Sequence, residues 1–217
     1  MPVVVHAASR VTIADSLLAR WRKVPVAIVA DVSKGAASID PAIRPLRQAG
    51  KQPRLFGRAV TAICEPPDFG AVLHALDGVM PGDVLVISAQ GHRDHAMIGE
   101  ILGGYLRRKK AAGIVCDGAI RDVAELAGWN DLSVFSRCIT PRGPTGVSLG
   151  EVNAVSNVGG RTVAPGDLII GDDDGLVSLG GDMIHSLIGA AEAKMELEVN
   201  WQASLAAGKT IKETFGL

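Results

Sequence analysis

Apolar residues in this chain fall mostly into short runs set off by Pro, Gly and Asp, with two longer stretches at helical spacing. Residues 15–22 begin an amphipathic helix. The run 24–32 is mostly β-branched and apolar, which predicts a buried strand. Asp40-Pro41-Ala42-Ile43-Arg44-Pro45 is a turn-rich connector, and residues 56–63 alternate as a strand. Met80-Pro81-Gly82-Asp83 is a turn before a short apolar strand, 84–88. Gln90-Gly91-His92-Arg93-Asp94 then reads as a polar loop. Residues 96–110 carry Ile98, Ile101, Leu102 and Leu106 at helical spacing, with Gly113 as the cap and a strand at 114–116. Strand, helix and strand together make a βαβ-like unit. A second Pro-Gly-Asp turn, Pro165-Gly166-Asp167, precedes strands at 168–170 and 176–179. These are joined through Asp172-Asp173-Asp174-Gly175 as a hairpin. A long helix over 183–207 follows, with Glu192, Lys194 and Glu196 on its polar surface.

The pattern is that of an α/β protein, and no linker or low-complexity stretch divides it, so residues 1–217 are expected to form a single domain. Hydrophobic residues at 47% supply a core, and aromatics at 4% mean that Ala, Val, Leu and Ile must build it. A net charge of −1 leaves no global basic field to draw in nucleic acid or anionic lipid. The run Arg107-Arg108-Lys109-Lys110 fits a helix end whose charges complement the helix dipole better than a nucleic-acid patch. Cys64, Cys116 and Cys138 lack CxxC spacing, which argues against a disulfide frame or zinc site and for small buried residues in a reducing compartment. The first 22 residues have no signal-type apolar run, and no run reaches the roughly 20 residues of a membrane span. A cytoplasmic protein with no membrane or nucleic-acid partner is expected.

Candidate chemistry concentrates in Asp117-Gly118-Ala119-Ile120-Arg121-Asp122, directly after the 114–116 strand. Ligand sites in α/β proteins collect beyond the carboxyl ends of strands. Gly118 would permit a sharp turn, leaving Arg121 and Asp122 on a turn or a first helical turn. A carboxylate is a hard oxygen ligand for Mg2+ or Mn2+, and a neighbouring guanidinium can hold a carboxylate or an enolate oxygen. Alone, the string also fits a surface arginine and an aspartate at a helix start. Its neighbours narrow the choice. Gly99-Glu100 precedes it, with twenty residues, 101 to 120, between Glu100 and Arg121, and Glu125 follows Asp122 by three.

Taken with Thr140-Pro141-Arg142-Gly143-Pro144, Gly150-Glu151-Val152-Asn153, Pro165-Gly166-Asp167 and the connector 40–46, this set resembles the RraA-like family over about residues 25–210. That family includes 4-hydroxy-4-methyl-2-oxoglutarate / 4-carboxy-4-hydroxy-2-oxoadipate aldolases and RraA inhibitors of ribonuclease E. Its members were formerly called demethylmenaquinone methyltransferases. The resemblance implies a swivelling β/β/α fold like phosphohistidine domains, with a C-terminal helix. It also implies trimers or hexamers with clefts between subunits. The implied activity is a divalent-metal-dependent class II pyruvate aldolase acting on a small 4-hydroxy-2-oxo acid, with oxaloacetate decarboxylation as a side activity. In that scheme Asp122 binds the metal, Mg2+ or else Mn2+, and Glu100 holds a water on it. Arg121 contacts the substrate's bridging oxygen, and the Gly99 segment with the backbone N–H groups of Ile101 and Leu102 binds the pyruvate carboxylate. A carboxylate from a neighbouring subunit's C-terminal helix is implied at Glu198, with Glu196 competing. Glu100 stands where aldolases often carry Asp, a departure that lengthens the arm.

The runner-up is a protein-binding regulator of the RraA type, which has no physical need for the acidic-x20-Arg-Asp set. A methyltransferase fits poorly, because no Gly-rich loop follows the first strand. His92 and His95 flank Asp94 in the loop expected to border the cleft and read as polar loop residues before ligands. The three consecutive aspartates lack the later ligands of a calcium loop. Arg142 reads first as a turn or subunit-contact residue and second as a binder of a distal carboxylate.

Overall fold

The structure, a computed structural model, describes residues 2–8 and 12–217. The chain opens with β1 (Val4–Val5), α1 (Asp15–Trp21), α2 (Val26–Val32), β2 (Arg44–Pro45) and β3 (Leu55–Ile63). Next come α3 (Gly70–Gly78), β4 (Asp83–Ile98), α4 (Glu100–Arg108), β5 (Gly113–Ile120), α5 (Val123–Gly128) and β6 (Ser133–Ile139). The last third holds β7 (Glu151–Val152), β8 (Ser156–Val158), β9 (Arg161–Val163), β10 (Leu168–Asp172) and β11 (Gly175–Leu179). It ends in α6 (Gly181–Ser186), α7 (Ile188–Ala206) and α8 (Ile211–Phe215).

Strands β3, β4, β5 and β6 lie side by side in parallel. Antiparallel strands extend this centre: β10 and β7 pair with different halves of β3, and β2 with β6. The central strands are apolar on both faces because both are covered. On β4, Leu85 and Ile87 face the core under α3 and α4, while Val84 and Val86 face the opposite core, which the β8–β9 hairpin and β10 close. On β5, Ile114 and Cys116 divide from Val115 in the same way, the period-2 alternation of a strand. The result is the β/β/α layering implied by the resemblance. A third cluster packs α1, α2, α6 and α7 against β10 and β11 around Trp21, whose indole N–H donates to the Ile184 carbonyl at 3.0 Å.

Several local expectations are corrected. Residues 26–32 form helix α2, not a strand. Val26, Ile28 and Val29 are buried, the Pro25 carbonyl accepts the Val29 N–H, and Asp172 accepts the Val26 N–H at 2.9 Å. Short apolar runs do not reveal their period, and here a carboxylate 146 residues away satisfies the helix start. Residues 90–94 are part of β4, not a separate loop. Pairing with β5 continues past Ser88 through register shifts at His92 and Ala96, with Gln90 and Gly91 at positive φ, so bulges take up the polar run. Residues 96–98 remain strand, so the helix starts at Glu100 and ends at Arg108. Gly113 opens β5 and caps nothing. Gly118 lies inside β5 and makes no turn; a methyl there would sit 2.8 Å from the Ala89 Cβ and 3.2 Å from the His92 carbonyl oxygen, so this glycine permits close strand approach. The C-terminal helix breaks at Leu187 into α6 and α7. The 15–22 helix, the 56–63 strand and the 168–179 hairpin fall as expected.

Candidate active site

Strand β5 delivers the chain to Ile120, flanked by Ile98 of β4 and Ile139 of β6. The Arg121 N–H donates to the Ile98 carbonyl at 3.1 Å, extending the ladder by one bond. The backbone then turns through Asp122, whose φ of 56° is left-handed, a region an aspartate tolerates better than most residues. Although Asp122 precedes α5, its carboxylate caps no N–H of that helix. Instead Oδ2 accepts the N–H of Glu100, first residue of α4, at 3.1 Å. The carboxylate thus sits at the positive end of a different helix.

Gly99 makes this approach possible, since a methyl there would occupy the space of Asp122 Oδ2 and lie 2.9 Å from Arg121 Cγ. Arg121 Nε lies 3.5 Å from Asp122 Oδ2, and both side chains are 40% exposed. Arg121, Asp122, Gly99, Ile101 and Leu102 line one cavity of about 190 Å3, walled on its apolar side by Phe69, Met97 and Pro144. The first N–H to close a turn of α4 is that of Gly103 onto the Gly99 carbonyl. The N–H groups of Ile101 and Leu102 therefore have no partner inside the helix, the usual basis of anion binding at a helix start.

Five of the site residues expected from sequence are thus brought together. Glu100 contributes its N–H here, and its side chain lines the neighbouring groove with Arg107 and Arg108. Glu198 is elsewhere: α7 packs on α2, and Glu198 lies 3.4 Å from Lys194. Within one chain Glu198 and Glu196 stay outside the cavity. His92 Nε2 and His95 Nδ1 are 3.1 Å apart and line none of it. Asp117 is buried and structural, accepting from Arg137 at 2.5 Å and from the Gly159 N–H at 2.7 Å. Asp172 accepts the N–H of Asp174 within the turn, and Asp172 and Asp173 also accept the distant N–H groups of Val26 and Gly50, so these carboxylates are structural. Burial pushes the Cys64 thiol up to about 12 and that of Cys116 well above its ordinary value, so neither is a thiolate near neutrality. In the basic run, Arg107 pairs with Asp131 and Lys109 donates to the carbonyls of Leu76 and Asp77.

A larger cavity, about 690 Å3, opens on the opposite core between Gln90, Arg93, Asp117, Arg137 and Gly159. Its buried Asp117 is paired with Arg137, which also reaches the partly exposed Asp40. The smaller cavity brings the Arg121 guanidinium and the Asp122 carboxylate together at the start of α4.

Among the described residues no group of three or more His, Cys, Asp or Glu side chains stands together to hold a metal. Asp122 offers one hard, half-exposed carboxylate. A cation there would complete its shell with water, substrate or neighbouring-chain oxygens, a donor set that suits Mg2+ or Mn2+ and not a soft metal.

Residues 13–178 match the family model RraA-like (Aldolase/RraA), and the chain belongs to that family. It is 30% identical over 177 residues to a Halalkalibacterium halodurans protein named "Putative 4-hydroxy-4-methyl-2-oxoglutarate aldolase", covering 82% of each chain. A solved structure of an uncharacterized Pseudomonas syringae protein superposes with a TM-score of 0.82 at 24% identity, covering 94% of this chain and 98% of that one. The Streptomyces coelicolor protein RraAS2, described as an unusual member of the RNase ES inhibitor RraA protein family, superposes with a TM-score of 0.75 at 25% identity. That match covers 88% of this chain and 96% of its own.

Proposed function

We propose that this protein is a divalent-metal-dependent carbon–carbon lyase that cleaves a small 4-hydroxy-2-oxo acid, of the 4-hydroxy-4-methyl-2-oxoglutarate type, to pyruvate and a second carbonyl compound. The observation that carries the reading is the meeting of the Arg121 guanidinium and Asp122 carboxylate with the start of α4 in one cavity. The name of the Halalkalibacterium halodurans relative supports it.

In this reading Asp122 would hold the cation, Mg2+ or Mn2+, and Glu100, whose side chain lies in the adjoining groove, would hold a water on it. When bound, the cation supplies Lewis-acid withdrawal of electron density from the keto group. The N–H groups of Ile101 and Leu102 take the substrate carboxylate, aided by the dipole of α4. Arg121 donates to the C2 oxygen, where charge grows as the C3–C4 bond breaks. Glu100, acting through a water, takes the proton of the C4 hydroxyl. The C4 oxygen's electron pair then forms the new carbonyl, and the C3–C4 pair becomes the enolate of pyruvate. Return of a proton to C3 completes the products. Oxaloacetate gives the same enolate by losing CO2, so its decarboxylation accompanies the main activity. Glu198 enters from a neighbouring copy, and the working form is a trimer or hexamer.

A pyruvate-release assay over a panel of 4-hydroxy-2-oxo acids and oxaloacetate, with Mg2+ present, tests the proposal. Turnover of at least one panel member is expected. Absence of turnover over the whole panel, with ribonuclease inhibition by the same preparation, contradicts it and favours a regulator that acts by protein contact.

A further inference from the structure

We infer that Gly143, on the loop after β6, is a positioning residue that fixes the guanidinium of Arg121. The inference rests on the lyase reading for its catalytic consequence, though not for its geometry. The Arg121 side chain runs between two positions that lack side chains. Gly99 faces its Cγ, and Gly143 faces its tip: a methyl on Gly143 would lie 2.5 Å from Arg121 Nη1 and 3.5 Å from Cζ. Contact at an ordinary van der Waals distance would need roughly another ångström.

The loop cannot supply that ångström. It is tied at three points, by Thr140 N–H to the Ile120 carbonyl, Ala96 N–H to the Arg142 carbonyl and Thr145 N–H to the Pro67 carbonyl, at 3.1, 2.8 and 3.0 Å. The arginine can, because Nη1 is the free end of a long flexible side chain. Gly143 is also not among the glycines at positive φ, so alanine suits its backbone. A methyl at this position therefore leaves the fold intact and displaces the guanidinium. A shift of about 1 Å in a group that must meet a reacting oxygen can cost on the order of a hundredfold in rate.

The test is a double-mutant cycle in steady-state pyruvate release, using the wild type, Gly143→Ala, Arg121→Lys and the double variant, with circular dichroism and Tm on each. Gly143→Ala is expected to lower kcat about a hundredfold with little change in KM or Tm. In the Arg121→Lys background the same change is expected to cost no more than about twofold, because the group it displaces is gone. Equal losses in both backgrounds, a folded Gly143→Ala enzyme with wild-type kcat, or a Gly143→Ala chain that fails to fold would each overturn the inference. The last outcome would mean that the methyl meets backbone and not the arginine tip. If the wild type releases no pyruvate, the lyase reading fails while the positional inference stays testable. The 15N–1H resonance of Arg121 Nε, assigned by its loss in Arg121→Lys, is then expected to shift in Gly143→Ala, and an unmoved resonance overturns it.

Discussion

At the scale of residues, Arg121 and Asp122 do different work from one turn of chain. The arginine presents a planar fork toward the cavity, while the aspartate, through its left-handed φ, turns its carboxylate back onto α4. Lysine at position 121 keeps the charge but not the fork. Arg121→Lys is expected to lose about a hundredfold in turnover, near 3 kcal/mol of transition-state stabilisation, with an unchanged circular dichroism spectrum. Asp122→Ala is expected to abolish Mn2+ binding by calorimetry as well as turnover; retained binding would place the cation elsewhere. The adjacency of this pair and its distance from Glu100 were legible in the sequence, because a motif is a one-dimensional object. The part played by Gly143 was not, because it depends on where the tip of another residue's side chain ends. The structural part of Asp117 was hidden for the same reason: its charge is consumed by Arg137, twenty positions along the chain and one strand away in space.

At the scale of elements, strands β3, β4, β5, β10 and β11 were anticipated from the sequence, while β6, α3 and α5 were not. Continuous apolar runs such as 84–88 and 114–116 announce strands buried on both faces, whereas 26–32 has the same composition and is helical. What selects the helix is tertiary: the Asp172 carboxylate at its first N–H and the packing of Val29 beside Trp21. Removing Trp21 by substitution to Ala empties a fully buried site and breaks its bond to Ile184. A loss of about 3–5 kcal/mol is expected from chemical denaturation.

Asp68, just before α3, ties that helix to a later loop. Burial pushes its carboxyl up, but the N–H groups of Ser148, Gly70 and Leu149 together outweigh burial and hold it below its ordinary value. A folded-state value below the unfolded one means that the native state binds the carboxylate form better. The stabilisation is therefore full above the unfolded value, near 3.9, and is lost as pH falls through the folded one. Asp68→Asn is expected to cost about 2 kcal/mol at pH 7. The gap from wild type should narrow below about pH 4 in urea melts; a gap independent of pH would contradict the assignment.

At the scale of the molecule, the sheet is a partition. Helices α3, α4 and α5 cover one face, where the cavity opens, and the β8–β9 hairpin covers the other. The layer order was legible only through the family resemblance, since periodicity fixes which residues face which side but not what lies there. No helix among the described residues is long and apolar enough to cross a membrane. The C-terminal helices leave Leu197, Val199, Ile211 and Phe215 exposed, and none of these lines the cavity of its own chain. Light scattering is expected to give a trimer or hexamer of the 22.5 kDa chain, and a fully active monomer at assay concentration would remove Glu198 from the chemistry.

The central claim is that Arg121 and Asp122 form a metal-dependent lyase site, and pyruvate release before and after metal removal tests it most directly. Enzyme stripped with EDTA and dialysed is expected to be inactive, and to recover when Mg2+ or Mn2+ is returned to the wild type but not to Asp122→Ala. Full turnover in the stripped wild-type protein, or equal recovery in Asp122→Ala, would contradict the claim.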